Sequence, residues 1–382
     1  MLSASEFHRY SRQILLPEFR TEGQEKLKEG SVLVIGAGGL GSPALYYLAA
    51  AGVGRIGIVD FDKVDESNLQ RQILYKTADV GMSKAERAAS RLRELNPQLE
   101  IETHVCIINS DNAFEIIEPY DIVIDGSDNL PTRYLVNDAC VLLGKPLIYG
   151  AIFQFEGQAS VFNQAGPDGK RGPNYRDLFP TPPPPEMVPS CGESGVLGVL
   201  PGIIGTMQAN EAIKILAGMG ETLSGRLLLF DSLDFSTQII TFKPDPKNPV
   251  SGDHPTLREL IDYEEFCNPG HTKRNEAINE LSPSEIKELL TGNSTIQLID
   301  VRDPLEVIFS SIGGINIPLK EIEFKAHLIH RDSQVVVYCK SGQRSRTAIA
   351  QLQRKFGYTN LINMKGGLLQ WIDEVDSALP RY

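Results

Sequence analysis

The sequence predicts an α/β protein of two domains, each with parallel strands joined through helices. Three observations carry that reading. Residues 32–60 run strand, glycine turn, helix, strand, acid. The last hundred residues resume a strand–helix alternation after a proline-rich break. The chain has 382 residues of ordinary globular composition, enough for two or three domains.

The first domain is organised around its glycine turn. Val32–Ile35 is a short apolar run that fits a buried strand. Gly36, Gly38, Gly39 and Gly41 follow at once, then an apolar helix-forming stretch to Ala51. A second apolar run, Arg55–Val59, ends in Asp60. The glycines let backbone approach a phosphate, and the following helix offers free N–H groups to an anion. Asp60 lies where a carboxylate takes ribose hydroxyls. On the glycines and Asp60 alone, a dinucleotide-dependent oxidoreductase is an alternative reading, and a scaffold with a structural nucleotide is another.

Upstream, Ser5–Gln13 reads as a polar helix with Arg9 and Arg12 on one face, as on any solvated helix. Downstream, Asp62, Asp65, Ser67, Asn68, Arg71 and Gln72 load the ribose end with polar groups, and the Arg71 fork suits phosphate. Lys84 opens the helix over 85–95, where a cation opposes the helix dipole. It either faces an anion or is an ordinary surface lysine. Strands are expected at 100–105 and 121–125, the second running into Asp125-Gly-Ser-Asp128-Asn129. Asp128 stands at the carboxyl edge of the sheet, where it either holds a metal beside phosphates or caps the helix over 129–143. Strands at 146–149 and 158–162 continue the sheet. A helix over 202–217 and strands at 226–231 and 237–243 complete the domain.

Residues 166–195 are proline-rich and lack helical periodicity, which predicts a mobile functional loop. It carries Cys191, placed to react. A linker is expected over 246–275, dividing a first domain at 1–245 from a second at 276–382. In the second, Ser282-Pro-Ser-Glu285 has capping-box spacing. Strands are expected at 296–301 and 335–338. The latter runs into Cys339, followed by Lys-Ser-Gly-Gln-Arg344-Ser345 and a helix over 346–356. Loop N–H groups, the helix dipole and Arg344 all favour a thiolate there, so an inert buried thiol is disfavoured.

The net charge of −12 argues against nucleic acid and anionic membrane partners. Met1–Tyr10 is polar, without the apolar core of a secretory leader, and no run is long enough to span a bilayer. Five scattered cysteines without a CxxC pair suit the cytoplasm.

Several stretches together resemble the MoeB/ThiF family, bacterial relatives of ubiquitin-activating enzymes. They are RYSRQ (9–13), GAGGLG (36–41), DFDKVDESNLQRQ (60–72), GMSK (81–84), DGSDN (125–129) and GTMQANEAIK (205–214). DVR (300–302), CKSGQRS (339–345) and GGLLQWI (366–372) resemble a rhodanese domain. The fusion is similar to MoeZ-type adenylyltransferase/sulfurtransferases. The resemblance implies a Rossmann-like adenylation domain followed by an α/β rhodanese domain. It implies ATP with Mg²⁺, a ubiquitin-like sulfur carrier ending in Gly-Gly, and a persulfide donor such as a cysteine desulfurase.

By the same resemblance, ATP contacts fall on Gly39, Asp60, Asn68, Arg71, Lys84 and Asp128, and Arg12 reaches the partner's site in a homodimer. The candidate nucleotide set also takes in Gly36, Gly38, Gly41, Asp62, Gln72 and Asn129, with Asp128 for Mg²⁺. Cys339 would carry a persulfide beside Arg344. Cys191 would form an acyl-thioester or a mixed disulfide. The carrier's pathway stays open among molybdopterin, thiamine, cysteine and tRNA thiolation. The family's structural zinc uses two CxxC pairs, which would fall on Asn174, Asp177, Asn248 and Ser251. None is cysteine, so no zinc is expected. Ser310 and Ser311 stand where rhodaneses often carry a histidine-containing stretch.

Overall fold

The computed structural model describes residues 1–183, 195–267, 278–292 and 296–381. The chain divides into two compact units, Met1–Gly270 and His271–Tyr382.

The first unit is an eight-stranded sheet in the order β3-β2-β1-β4-β5-β6-β7-β8. Strands β1 (Ser31–Ile35), β2 (Arg55–Val59), β3 (Glu100–His104), β4 (Ile122–Asp125) and β5 (Leu147–Phe153) are parallel. Strands β6 (Glu156–Phe162), β7 (Arg226–Asp231) and β8 (Thr237–Thr241) extend it antiparallel. All of β1 is buried, which explains its unbroken apolar run. Two apolar clusters cover the sheet. One gathers Leu45, Leu48 and Ala88 with Val32 and Val34; the other gathers Tyr134, Val136 and Ile117 with Leu33 and Val123.

Strand β1 lies between β2 and β4, so chain direction across the sheet reverses there and opens a crevice at the carboxyl ends of β1 and β4. The crevice floor is stitched by Gly36 N–H to the Val59 carbonyl at 2.8 Å and Gly126 N–H to the Ile35 carbonyl at 2.8 Å. Gly36 has φ +89°, and a Cβ there would come within 2.8 Å of the Gly126 carbonyl oxygen. At Gly41 a Cβ would overlap the Gly36 carbonyl oxygen.

Among the described residues, seven α-helices precede residue 200 in this unit: α1 (Ala4–Ile14), α2 (Arg20–Glu29), α3 (Gly41–Ala51), α4 (Lys84–Leu95), α5 (Ala113–Ile117), α6 (Leu130–Leu142) and α7 (Tyr175–Leu178). Then come α8 (Leu200–Ala217) and α9 (Tyr263–Cys267). The structure changes two expectations. Residues 166–183 of the expected mobile loop are ordered: Gly166 N–H closes a turn on the Lys170 carbonyl, and α7 buries Tyr175 and Arg176. The rest of that loop, with Cys191, lies outside the described residues except at its end. The expected linker is folded through residue 267, with Val250, Tyr263 and Cys267 buried in the first unit. Apolar residues spaced irregularly among prolines hid that packing from periodicity.

The second unit is a five-stranded parallel sheet in the order β11-β10-β12-β13-β9. Its strands are β9 (Asn279–Leu281), β10 (Gln297–Asp300), β11 (Ile315–Asn316), β12 (Val335–Tyr338) and β13 (Leu361–Met364). Its helices are α10 (Pro283–Gly292), α11 (Pro304–Phe309), α12 (Gln343–Phe356) and α13 (Gly367–Glu374). The expected capping box forms: Glu285 N–H donates to Ser282 Oγ, and Ser282 N–H donates to Glu285 Oε2 at 2.8 Å. Among the described residues no helix is long and apolar enough to cross a membrane.

Candidate active sites

The crevice of the first unit encloses a cavity of about 160 Å³ that opens to solvent. Gly36, Gly38, Gly39, Asp60, Asp62, Arg71, Gln72, Lys84, Asp128 and Asn129 all line it. Three expected members do not. Gly41 is buried in the turn, the half-buried Asn68 turns its side-chain amide to its neighbour Ser67, and Arg12 stands exposed on α1.

Asp60 is an organiser of the site. Its Oδ2 accepts Ala37 N–H at 2.8 Å, and its Oδ1 accepts Asp62 N–H at 2.8 Å. The carboxylate therefore ties the glycine turn to the loop after β2, with lone pairs left for a ribose. Burial pushes its pKa up from the ordinary value, and the Lys84 charge opposes that shift. Lys84 does face an anion: its Nζ pairs with Asp62 Oδ2 at 2.9 Å while its side chain is only 7 % exposed. Ser83 caps α4 instead. The Arg71 guanidinium donates to the Ser67 carbonyl at 3.1 Å, which holds it over the cleft rim.

At the opposite wall, Asn129 is the helix cap, accepting Thr132 N–H at 2.9 Å. That releases Asp128, which is exposed and has no side-chain hydrogen bond or ion pair among the described residues. Its carboxylate suits a hydrated divalent cation beside phosphates. No group of three or more His, Cys, Asp or Glu side chains among the described residues is arranged to hold a metal by itself.

Sequence reasoning missed Arg133. It lines the cleft one turn into α6, donates to the Ser127 carbonyl at 3.2 Å and lies over the Tyr149 ring. Its four-residue spacing from Asn129 was the available signal. Phe61, Ile107 and Ile108 form an apolar wall that also went unread.

Gly38 supplies a clean test. A Cβ there meets nothing nearer than Gln72 Nε2 at 3.6 Å, so the fold does not demand glycine. Gly38→Ala should leave the thermal midpoint near wild type and weaken ATP binding about tenfold, as a methyl overfills the phosphate path. Calorimetric titration beside a melting curve checks both. Unchanged affinity would show that phosphates do not pass this turn.

In the second unit Cys339 follows β12 and precedes α12. Its Sγ accepts Gly342 N–H at 3.1 Å and the Ser345 hydroxyl at 3.5 Å. The residue is fully buried. Leu368 N–H and Leu369 N–H bond the carbonyls of Cys339 and Lys340 at 2.8 and 3.0 Å, so the start of α13 seats the loop. Arg344 was expected beside the thiolate. It makes a bidentate ion pair with Glu306 of α11, at 2.6 and 2.8 Å. A backbone N–H and the Ser345 hydroxyl both donate to the sulfur. Arg302 is fully buried, paired with Asp300 and bonded to the Ser310 carbonyl at 2.8 Å, which shapes the neighbouring segment. Ser311 Oγ lies 3.3 Å from the Tyr338 hydroxyl.

A parallel sheet with a glycine-turn cleft rich in anion-binding groups, joined to a cysteine cradle, defines a nucleotide-using enzyme with a sulfur-handling domain. The ThiF family model matches residues 10–250, and the rhodanese-like domain model matches residues 282–374. The chain belongs to the ThiF family and carries a rhodanese-like domain.

It is 46 % identical over 386 residues to the probable adenylyltransferase/sulfurtransferase MoeZ of Mycobacterium tuberculosis, covering 100 % of this chain and 96 % of that protein. It is 57 % identical over 262 residues to the sulfur carrier protein adenylyltransferase of Thermus thermophilus, covering 69 % of this chain and 97 % of that protein. Among solved structures, E. coli MccB + ATP shares the fold at TM-score 0.54 and 20 % identity, over 66 % of this chain and 82 % of that one. The chain is therefore an adenylyltransferase and sulfurtransferase, and the oxidoreductase alternative falls away.

Proposed function

We propose that this enzyme adenylates the C-terminal Gly-Gly carboxylate of a ubiquitin-like sulfur carrier and converts it to a thiocarboxylate. The observation that carries this reading is one chain holding both an open phosphate cleft, with Lys84, Arg71 and Asp128 on its walls, and a hydrogen-bonded cysteine cradle. In the first step a carboxylate oxygen bonds to the α-phosphorus of ATP and pyrophosphate leaves. Charge builds on the phosphoryl oxygens, and the fixed cations Lys84 and Arg71 offset it. Asp128 would hold Mg²⁺, which when bound neutralises phosphate charge.

In the second step the terminal sulfur of a Cys339 persulfide attacks the acyl carbon and AMP leaves. The Gly342 N–H and Ser345 hydroxyl hold Cys339 Sγ while its terminal sulfur attacks, and stabilise the Cys339 thiolate regenerated when the resulting disulfide is reduced. Two routes use Cys191. In one its thiolate cleaves the acyl disulfide, releasing the thiocarboxylate and leaving a Cys191–Cys339 disulfide for a cellular dithiol to reduce. In the other Cys191 first displaces AMP and holds the acyl group as a thioester; the persulfide then displaces the Cys191 thiolate, which cleaves the acyl disulfide as before. A persulfide-bearing protein such as a cysteine desulfurase is the proposed donor. The cytoplasm is the proposed compartment, supported by free thiols at Cys106, Cys140, Cys267 and Cys339.

Incubation with ATP, a persulfide source and Gly-Gly carriers should add the mass of a thiocarboxylate to one carrier. Absence of adenylation on every carrier would overturn the proposal. We also propose a homodimer in which exposed Arg12 completes the partner's cleft. Mixing Arg12→Ala with Asp128→Ala protein should then restore about a quarter of wild-type exchange at equal mixing, as random pairing leaves one intact site in half of the dimers. No recovery after confirmed subunit exchange would place each site within one chain.

A further inference from the structure

Asn174, Asp177, Asn248 and Ser251 are the four positions at which relatives of this fold were expected to place a zinc. They lie 71–77 residues apart in sequence across the two pairs, and the fold brings them together. Asn174 Nδ2 donates to Ser251 Oγ at 2.7 Å, and Asn248 Nδ2 donates to Asp177 Oδ1 at 2.7 Å and to Asn174 Oδ1 at 3.3 Å. Asp177 also accepts the N–H groups of Asn174 at 2.7 Å and Asp245 at 2.9 Å. Asn248 Oδ1 turns back to its own loop, accepting Val250 N–H at 2.9 Å. Asn174 and Asn248 are 1 % and 3 % exposed.

This arrangement does not fit the metal. Four ligands of a tetrahedral zinc, each 2.0–2.3 Å from it, stand about 3.3–3.8 Å from one another. Two of the cross-pair separations here are 2.7 Å, which closes the central space. The groups meeting there include amide N–H donors, which repel a cation, and a single carboxylate. Asn174 Oδ1, Asp177 Oδ1 and Ser251 Oγ each already accept a donor of the opposite pair.

We infer that these four side chains form a metal-independent clasp that does the mechanical work of a zinc knot. It fastens the segment after β8 onto the N-cap and first turn of α7. The clasp continues inward without a break. Asn137 of α6 bonds Asn174 and accepts Tyr175 N–H, and Asp138 pairs with Arg176 at 2.7 Å and accepts the Tyr263 hydroxyl at 2.7 Å. The outgoing chain is thus anchored to the same helix whose first turn carries Arg133 at the nucleotide cleft. The inference does not depend on the reaction catalysed.

The test uses the full chain produced in zinc-supplemented medium. Elemental analysis should find substoichiometric zinc, and a strong chelator should leave the melting curve unmoved. One zinc per chain, or a chelator-induced fall in the midpoint, would overturn the inference. Hydrogen exchange supplies the second arm. Asn248→Ala should speed exchange of the amides of residues 250–252 about tenfold or more, because it orphans buried partners of the clasp. Ser251→Ala, a milder change that removes one acceptor, should do the same to a smaller extent. Wild-type exchange in both variants would show that the clasp holds nothing.

Discussion

Replacing Cys339 with alanine is expected to lower thiocarboxylate formation about 10³-fold or more, because the group that bears the transferred sulfur is gone. Carrier-dependent exchange of pyrophosphate into ATP should persist near the wild-type rate, since the adenylation cleft lies wholly within the first unit. Intact mass of the carrier and isotope exchange read the two outcomes separately. A parallel Ser345→Ala variant should load sulfur yet transfer it more slowly, having lost one of the two donors at Sγ. Full thiocarboxylate formation by Cys339→Ala with the same persulfide source would remove the second unit from the reaction.

Asp128→Asn carries the second large effect. The side chain is exposed and is not the helix cap, so the substitution should leave the melting curve unchanged. The adenylation rate should fall about 10²–10³-fold, the usual cost of losing one electrostatic contact to a charged transition state. Raising Mg²⁺ should recover part of that loss if the carboxylate holds the ion. Persulfide loading of Cys339 should be untouched. An Asp128→Asn enzyme with wild-type exchange would leave Asp128 as a bystander at the cleft.

The parts legible in sequence were those written in short-range pattern. The glycine turn, Asp60 and Lys84 fall within one strand–helix–strand stretch and its continuation, and the structure gathers them at one crevice. The cysteine loop was legible for the same reason, since strand, loop and helix are contiguous. Long-range partners were not legible. Glu306, the carboxylate that pairs with Arg344, lies 38 residues upstream and is not readable from the cysteine loop. Residues 246–267 read as a linker because prolines broke the periodicity, while Tyr263 found Asp138 125 residues upstream. Asp128 could be read as either a metal ligand or the helix cap, and the backbone geometry gives the cap to Asn129.

The double bond pattern of Asp60 bears on nucleotide affinity. Its two oxygens hold the Ala37 and Asp62 amides in the protein itself. The turn and the loop that meet the nucleotide thus lose their conformational entropy when the chain folds, not when the ligand arrives. Association then has little ordering left to offset. Tightening the loop further should gain little affinity, whereas Asp60→Ala should cost binding twice, once through the lost ribose acceptor and again through a turn set free to fluctuate.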